Sequence, residues 1–68
     1  MFANLKAEAA RGGWTMNELA RAAGMAPSSL YQKMNGTREF RLNEMVTLRE
    51  VLGCDELTLD KLFEKTEA

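Results

Sequence analysis

The chain contains no histidine, one cysteine and one proline among its 68 residues. A single cysteine excludes a disulfide within the chain, and without histidine there is no His/Cys ligand set for a metal. We therefore expect a reducing compartment, no metal and no cofactor. Cys54 lies at an apolar position and is expected to be a small buried core residue. Because no nucleophile and base can then be paired, the sequence predicts that the protein is not an enzyme.

Long apolar runs are also missing. Lys6 and Glu8 interrupt residues 1–10, and no segment approaches the roughly 18 apolar residues of a membrane span. The sequence therefore predicts a cytoplasmic protein with no membrane partner.

No stretch alternates apolar and polar residues for long enough to make a strand. The composition, 46% hydrophobic and 28% charged, is typical of a globular protein, and 68 residues allow one domain. Helical spacing interrupted by glycine fills most of the chain. We predict an all-α fold, a compact bundle of about five helices spanning residues 1–68, with residues 64–68 frayed.

The strongest local signals lie between residues 15 and 36. Thr15 and Glu18 have the spacing of a capping box, which predicts that a helix begins there. Gly24 and Pro27 then stop one helix and start another within about three residues, because glycine tolerates a left-handed terminus and proline suits a first helical position. The second of these helices is expected to end at Asn35. The pattern predicts a helix, a tight turn and a short helix.

Supporting helices are predicted on both sides of this motif. The first ends at Gly12, and Trp14 is expected to close one end of the core behind it. A fourth helix begins near Leu42, although Arg41 is a poor capping residue, and ends at Gly53. Thr58 is a candidate cap for a last short helix.

The short helix after the turn has two different faces. At 100° per residue, Met34 lies about 40° from Leu30, whereas Ser28 and Gln32 lie at roughly 160° and 200°. The outward face is therefore polar and uncharged. Three residues flank it: Ser29, Tyr31 and Asn35. Lys33 is placed to extend along the edge of the core.

The charges are unevenly distributed along the chain. Residues 1–41 contain six basic and three acidic side chains, and residues 42–68 contain three basic and seven acidic ones. The net charge of −1 thus conceals a basic first part at +3 and an acidic second part at −4. A basic part of this kind fits a phosphate-rich partner.

Over roughly residues 5–63 the sequence resembles the lambdoid-repressor or XRE-type family of helix-turn-helix proteins. The single residues that carry the resemblance are Trp14, Thr15, Glu18, Leu19, Ala20, Gly24, Leu30, Asn35 and Gly36. Segment 48–53 matches as well, and segments 33–36 and 40–44 look especially like small phage repressors. The resemblance implies that the second motif helix, beginning near Pro27, enters the major groove of double-stranded DNA.

The resemblance also implies a set of contact residues. Those at the matching positions for base contact are Pro27, Ser28 and Gln32. Those expected at the DNA backbone or flanking the site are Asn17, Arg21, Ser29, Tyr31, Lys33, Asn35 and Arg38. Three residues depart from the family pattern. Met16 stands where relatives often carry a phosphate-binding glutamine, Pro27 cannot hydrogen-bond a base, and Lys33 replaces a frequent apolar residue. Specificity is then expected to depend more on Tyr31 or on DNA shape.

The sequence therefore predicts a DNA-binding transcriptional regulator of repressor type. The alternative is a protein-interaction module on the same fold, such as an antirepressor or antitoxin-like partner, which the acidic second part would suit. We also expect a homodimer on a palindromic site, since one short helix reads few base pairs. The alternative is a monomer that pairs only on DNA. The apolar residues offered for the dimer contact, some of which must instead close the core, are Val51, Leu57, Leu59, Leu62 and Phe63.

Overall fold

The computed structural model describes residues 1–65 of the chain. This part contains five helices and no strand. They are α1 (Ala3–Arg11), α2 (Met16–Ala22), α3 (Pro27–Met34), α4 (Leu42–Leu52) and α5 (Leu59–Leu62). The predicted all-α fold is confirmed, and residues 66–68, part of the stretch expected to fray, lie outside the described residues. The Cα radius of gyration, 10.6 Å, is close to the roughly 11 Å expected of a folded chain of this length.

Each helix contributes one fully buried leucine to the core. These side chains, all with 0% exposure, are Leu5, Leu19, Leu30, Leu48 and Leu62. Cys54 is equally buried, as predicted, and desolvation raises the pKa of its thiol because burial disfavours the thiolate. Five helices therefore share a single apolar centre, and the position of each depends on the others.

The turn between α2 and α3 is built from backbone hydrogen bonds. The N–H of Gly24 donates to the carbonyl of Arg21 at 3.1 Å, and because Gly24 has a φ of 73°, the next N–H, of Met25, reaches the carbonyl of Ala20 at 2.8 Å. This is the Schellman arrangement that satisfies the last carbonyls of a helix. Pro27 occupies the first turn of α3, as predicted. The helix-turn-helix is thereby closed within a few residues.

The start of α2 is fixed by the predicted capping box. The Thr15 hydroxyl accepts from the backbone N–H of Glu18 at 3.1 Å, and the Glu18 carboxylate accepts from the backbone N–H of Thr15 at 3.0 Å. The second bond, with the Thr15 hydroxyl in support, holds the pKa of Glu18 below its ordinary value. Trp14, just before this cap, is half-buried against the core, as expected.

Three phenylalanine rings anchor the loop between α3 and α4. Phe40 in that loop lies 5.2 Å from Phe2 and 5.0 Å from Phe63, ring centre to ring centre, in edge-to-face contacts. Such pairs are favourable beyond the area that they bury. The loop is therefore held against both ends of the described chain. None of the helices in this part of the chain is long and apolar enough to cross a membrane.

Candidate nucleic-acid interface

Helix α3 separates a buried side from an exposed one, as its spacing predicts. Leu30 and Met34 are buried, whereas Ser28 and Gln32 are exposed. The side chains of Ser28 and Gln32 carry hydroxyl and amide groups, which donate and accept hydrogen bonds without carrying charge. The exposed side of α3 can thus form hydrogen bonds with a ligand that presents both donors and acceptors.

The other predicted residues of α3 surround this exposed side. Pro27 and Ser29 are half-buried in its first turn, and Asn35 is exposed at the C-terminal cap. Tyr31 is 49% exposed, and it is one of three large apolar residues among residues 1–65 that are exposed and not buried or half-buried. An exposed aromatic ring on this helix is available to contact an apolar group or to stack against a planar one.

The loop after α3 is tied back to the helix through Gln32. The carbonyl of Gln32 accepts from the backbone N–H of Thr37 at 2.9 Å and from that of Arg38 at 3.3 Å. The backbone of Arg38 therefore lies at the C-terminal end of α3, and its side chain is exposed there. A cationic residue therefore follows the C-terminal end of the helix that carries the uncharged side.

Helix α2 supports α3 from behind and exposes a polar side of its own. Leu19 and Ala20 are buried, while Asn17 and Arg21 are exposed. The small side chain of Ala20, with 0% exposure, permits α2 to pack closely against the core. Asn17 and Arg21 are thus exposed on a helix that packs against α3.

Lys33 does not fit the flanking-contact role predicted for it. Only 4% of the residue is exposed, and its ammonium group is paired with the carboxylate of Glu44 in the first turn of α4. A buried ammonium requires such a partner, because an unpaired charge in the core is strongly unfavourable. Lys33 is therefore a core residue of the α3–α4 contact, and its charge is not offered to a ligand.

Glu44 has a second partner as well. Its Oε1 accepts from the backbone N–H of Arg41 at 2.8 Å while its Oε2 accepts from Lys33. Burial raises the pKa of this carboxyl group, but the hydrogen bonds from Lys33 and Arg41 lower it further, so that the net shift is downward. The arginine side chain has no acceptor, so this return bond is what caps α4.

The contact between Glu44 and Lys33 was not among the predictions from the sequence. The available signals were a lysine on the core side of α3 and a glutamate three residues after Arg41, at the spacing of a capping box. Each signal is local, whereas the partners lie 11 residues apart in the chain.

The remaining cations of the basic part are more accessible than Lys33. The ion pairs within residues 1–65 are Glu8–Arg11 and Lys33–Glu44. Arg21, Arg38 and Arg41 are exposed and have no ion pair within that range. Arg41 was not among the predicted contacts, although it belongs to the same loop as Arg38. These three charges are free to meet phosphate groups.

Helix α3 has an exposed polar side, packs against α2 across the Gly24 turn, and lies near exposed arginines that have no ion pair within residues 1–65. This arrangement is that of a helix-turn-helix protein. A family model described as Helix-turn-helix matches residues 5–59, more than half of the chain. The chain belongs to this XRE-type, lambda-repressor-like family of DNA-binding domains, which confirms the resemblance inferred from the sequence. The family is one of regulators and not typically of enzymes. No curated protein and no solved structure matched the chain.

Proposed function

We propose that the chain is a sequence-specific transcriptional regulator of repressor type that places α3 in the major groove of double-stranded DNA. The observation that carries this proposal is the exposed, uncharged side of α3 formed by Ser28 and Gln32. An α-helix fits the major groove, where base pairs present distinct patterns of donors and acceptors. The Gln32 amide would pair with N6 and N7 of an adenine, and the Ser28 hydroxyl would serve a neighbouring base edge.

The flanking residues supply affinity in this proposal. Arg21, at the end of α2, and Arg38, at the end of α3, would contact phosphates on either side of the groove, together with Asn17 and Asn35. Such contacts fix the position of α3 without reading sequence. Pro27, Ser29 and Tyr31 would line the edge of the base-reading surface, with Tyr31 offering apolar contact to a thymine methyl group.

We further propose that two copies bind a palindromic operator, with half-sites about 10 base pairs apart. Of the apolar residues offered for a dimer contact, Leu62 and Phe63 are buried in the core. Val51, Leu57 and Leu59 stay half-buried and keep some surface for a partner copy. We place this activity in the cytoplasm, where a regulator of this class would meet its operator.

Selection of bound sequences from a random duplex pool tests the proposal. A regulator yields an enriched motif, and a palindrome with two protomers per duplex supports the paired arrangement. Sedimentation of the free protein then shows whether the two copies associate before they bind. No enrichment, with the folded protein captured by another protein instead, would favour the interaction module over the regulator.

A further inference from the structure

We infer that Lys33 and Glu44 are positioning residues for base recognition, an inference that rests on the proposed function of α3. Neither side chain is available to touch DNA bases, since Lys33 is buried and both charges are satisfied within the fold. Their role is to set the rotation of α3 about its own axis and its register with the following loop.

The contacts of the pair form a closed ring around the loop. The backbone N–H of Arg38 donates to the Gln32 carbonyl, and the backbone N–H of Arg41 donates to Oε1 of Glu44. Oε2 of Glu44 accepts from Lys33, the residue after Gln32, which closes the ring. We call these five residues the 32–44 ring. Through it, one carboxylate fixes both the back of the base-reading helix and the start of α4.

Helix α3 needs such a directional tether. It has eight residues, and its N-cap, Ala26, makes no side-chain capping bond, so the helix has little stability of its own. The burial of Leu30 and Met34 holds it in place, but the hydrophobic effect is non-directional. A charged hydrogen bond adds the missing directional constraint.

A small rotation would be enough to disturb base reading. Side chains reach about 5–6 Å from a helix axis, so a rotation of roughly 20° moves them by about 2 Å. Hydrogen bonds to base edges tolerate only about 0.5 Å in length. Phosphate contacts from long, mobile arginines adapt to such a shift, so the loss should fall on specificity and not on general affinity.

The test compares the full chain with the double variant Lys33→Met/Glu44→Gln. Replacing both members of a buried pair by uncharged residues of similar size is often neutral for folding, whereas removing one member leaves a buried charge unpaired. The glutamine at position 44 retains an oxygen that can accept from the N–H of Arg41. The double variant therefore removes the tether to α3 and leaves the cap of α4.

The measured quantity is the ratio of dissociation constants for a randomised duplex and for the duplex selected by the wild-type chain. Partial unfolding reduces both affinities by the same folded fraction, so a merely stabilising role leaves the ratio unchanged. We expect the ratio to fall roughly tenfold or more, the value of one good base contact, while the affinity for the randomised duplex stays within about twofold.

Glu8→Gln/Arg11→Met is the matched control, because it removes the exposed ion pair of α1 and should leave the ratio unaltered. An unchanged ratio in a folded Lys33→Met/Glu44→Gln variant would overturn the inference. So would a double variant that fails to fold, since the pair would then serve the stability of the fold. If the wild-type chain selects no duplex, the proposed function itself fails, and that result precedes any variant.

Discussion

The Gln32 residue combines two tasks at one position. Its backbone carbonyl accepts two hydrogen bonds from the loop, so the main chain is held in place, while its side chain extends into solvent. An amide on a fixed backbone can make a bidentate contact with adenine at a modest entropic cost. Under the proposed function, base reading at this residue depends on the side chain alone, which can be replaced without disturbing the loop.

Gln32→Ala is expected to weaken binding to the selected duplex by about 1–3 kcal/mol and to leave binding to random duplex nearly intact. Specificity should relax at one base-pair position. Fluorescence anisotropy with both duplexes measures the two affinities. Asn43→Ala, which removes an exposed amide from α4, is the control and should change neither. Equal losses on both duplexes would show that Gln32 does not read a base.

At the scale of the helices, we expect the α2–α3 contact to depend on a small side chain. Ala20 has no exposed surface, whereas Ala22, two residues along the same helix, is exposed. A larger group at position 20 would have to displace α3, because interiors are close-packed and cannot absorb extra volume freely. Replacing each alanine by leucine therefore makes the same chemical change at a buried and at an exposed position of one helix.

Ala20→Leu should lower the free energy of unfolding by about 1–3 kcal/mol through overpacking. Ala22→Leu should change it by less than about 0.5 kcal/mol, since alanine and leucine have similar helix propensities at an exposed site. Urea denaturation followed by circular dichroism gives both values. Equal midpoints for the two variants would contradict close packing between the motif helices.

The Lys33–Glu44 pair predicts a dependence of stability on pH. The folded state holds the pKa of Glu44 below its ordinary value, so the unfolded chain binds the proton more readily. The contribution of the pair is complete above the ordinary glutamate pKa of about 4.3 and is lost as the pH falls through the lowered value. Thermal melts should show the wild-type chain losing more stability than Lys33→Met/Glu44→Gln over that window. If the stability of the two proteins changed with pH in parallel, the Lys33–Glu44 pair would not be stabilising.

The elements were predictable from the sequence because their boundaries are local. The hydrogen bonds at the glycine that ends α2 and in the capping box at its start span at most five residues, and the structure has both. The half-buried partner of Lys33, Glu44, was not predictable, because the fold brings it close from the next helix. The sequence also does not divide the apolar residues of the α5 region between core and surface, whereas packing in the structure buries Leu62 and Phe63.

For the whole molecule, the decisive feature is the separation of charge. The basic part carries +3 and includes the motif, and the acidic part carries −4. Pairing of Lys33 with Glu44 across the boundary removes one cation from the surface, but Arg21, Arg38 and Arg41 remain exposed. DNA should therefore approach the motif side, with the acidic part turned away from the phosphates.

Electrostatic binding predicts a definite salt dependence. If about five phosphates are neutralised per protomer, the logarithm of affinity should fall with the logarithm of salt at a slope of about −4 to −5. Arg21→Ala should reduce the steepness by about 1 and weaken binding to all duplexes alike. Lys61→Ala removes an exposed cation from α5 and serves as the control, with the slope unchanged. A wild-type slope near zero would remove DNA as the main partner.

The most direct test of the central claim is a nuclear magnetic resonance titration of the labelled full chain with the selected duplex. Contact through α3 predicts that the largest chemical-shift changes fall on Ser28, Tyr31 and Gln32, with smaller changes at Arg21 and Arg38. The resonances of α5 should move least. Changes concentrated on α5 and the second half of α4, with α3 unaffected, would contradict the assignment of α3 as the helix that reads DNA.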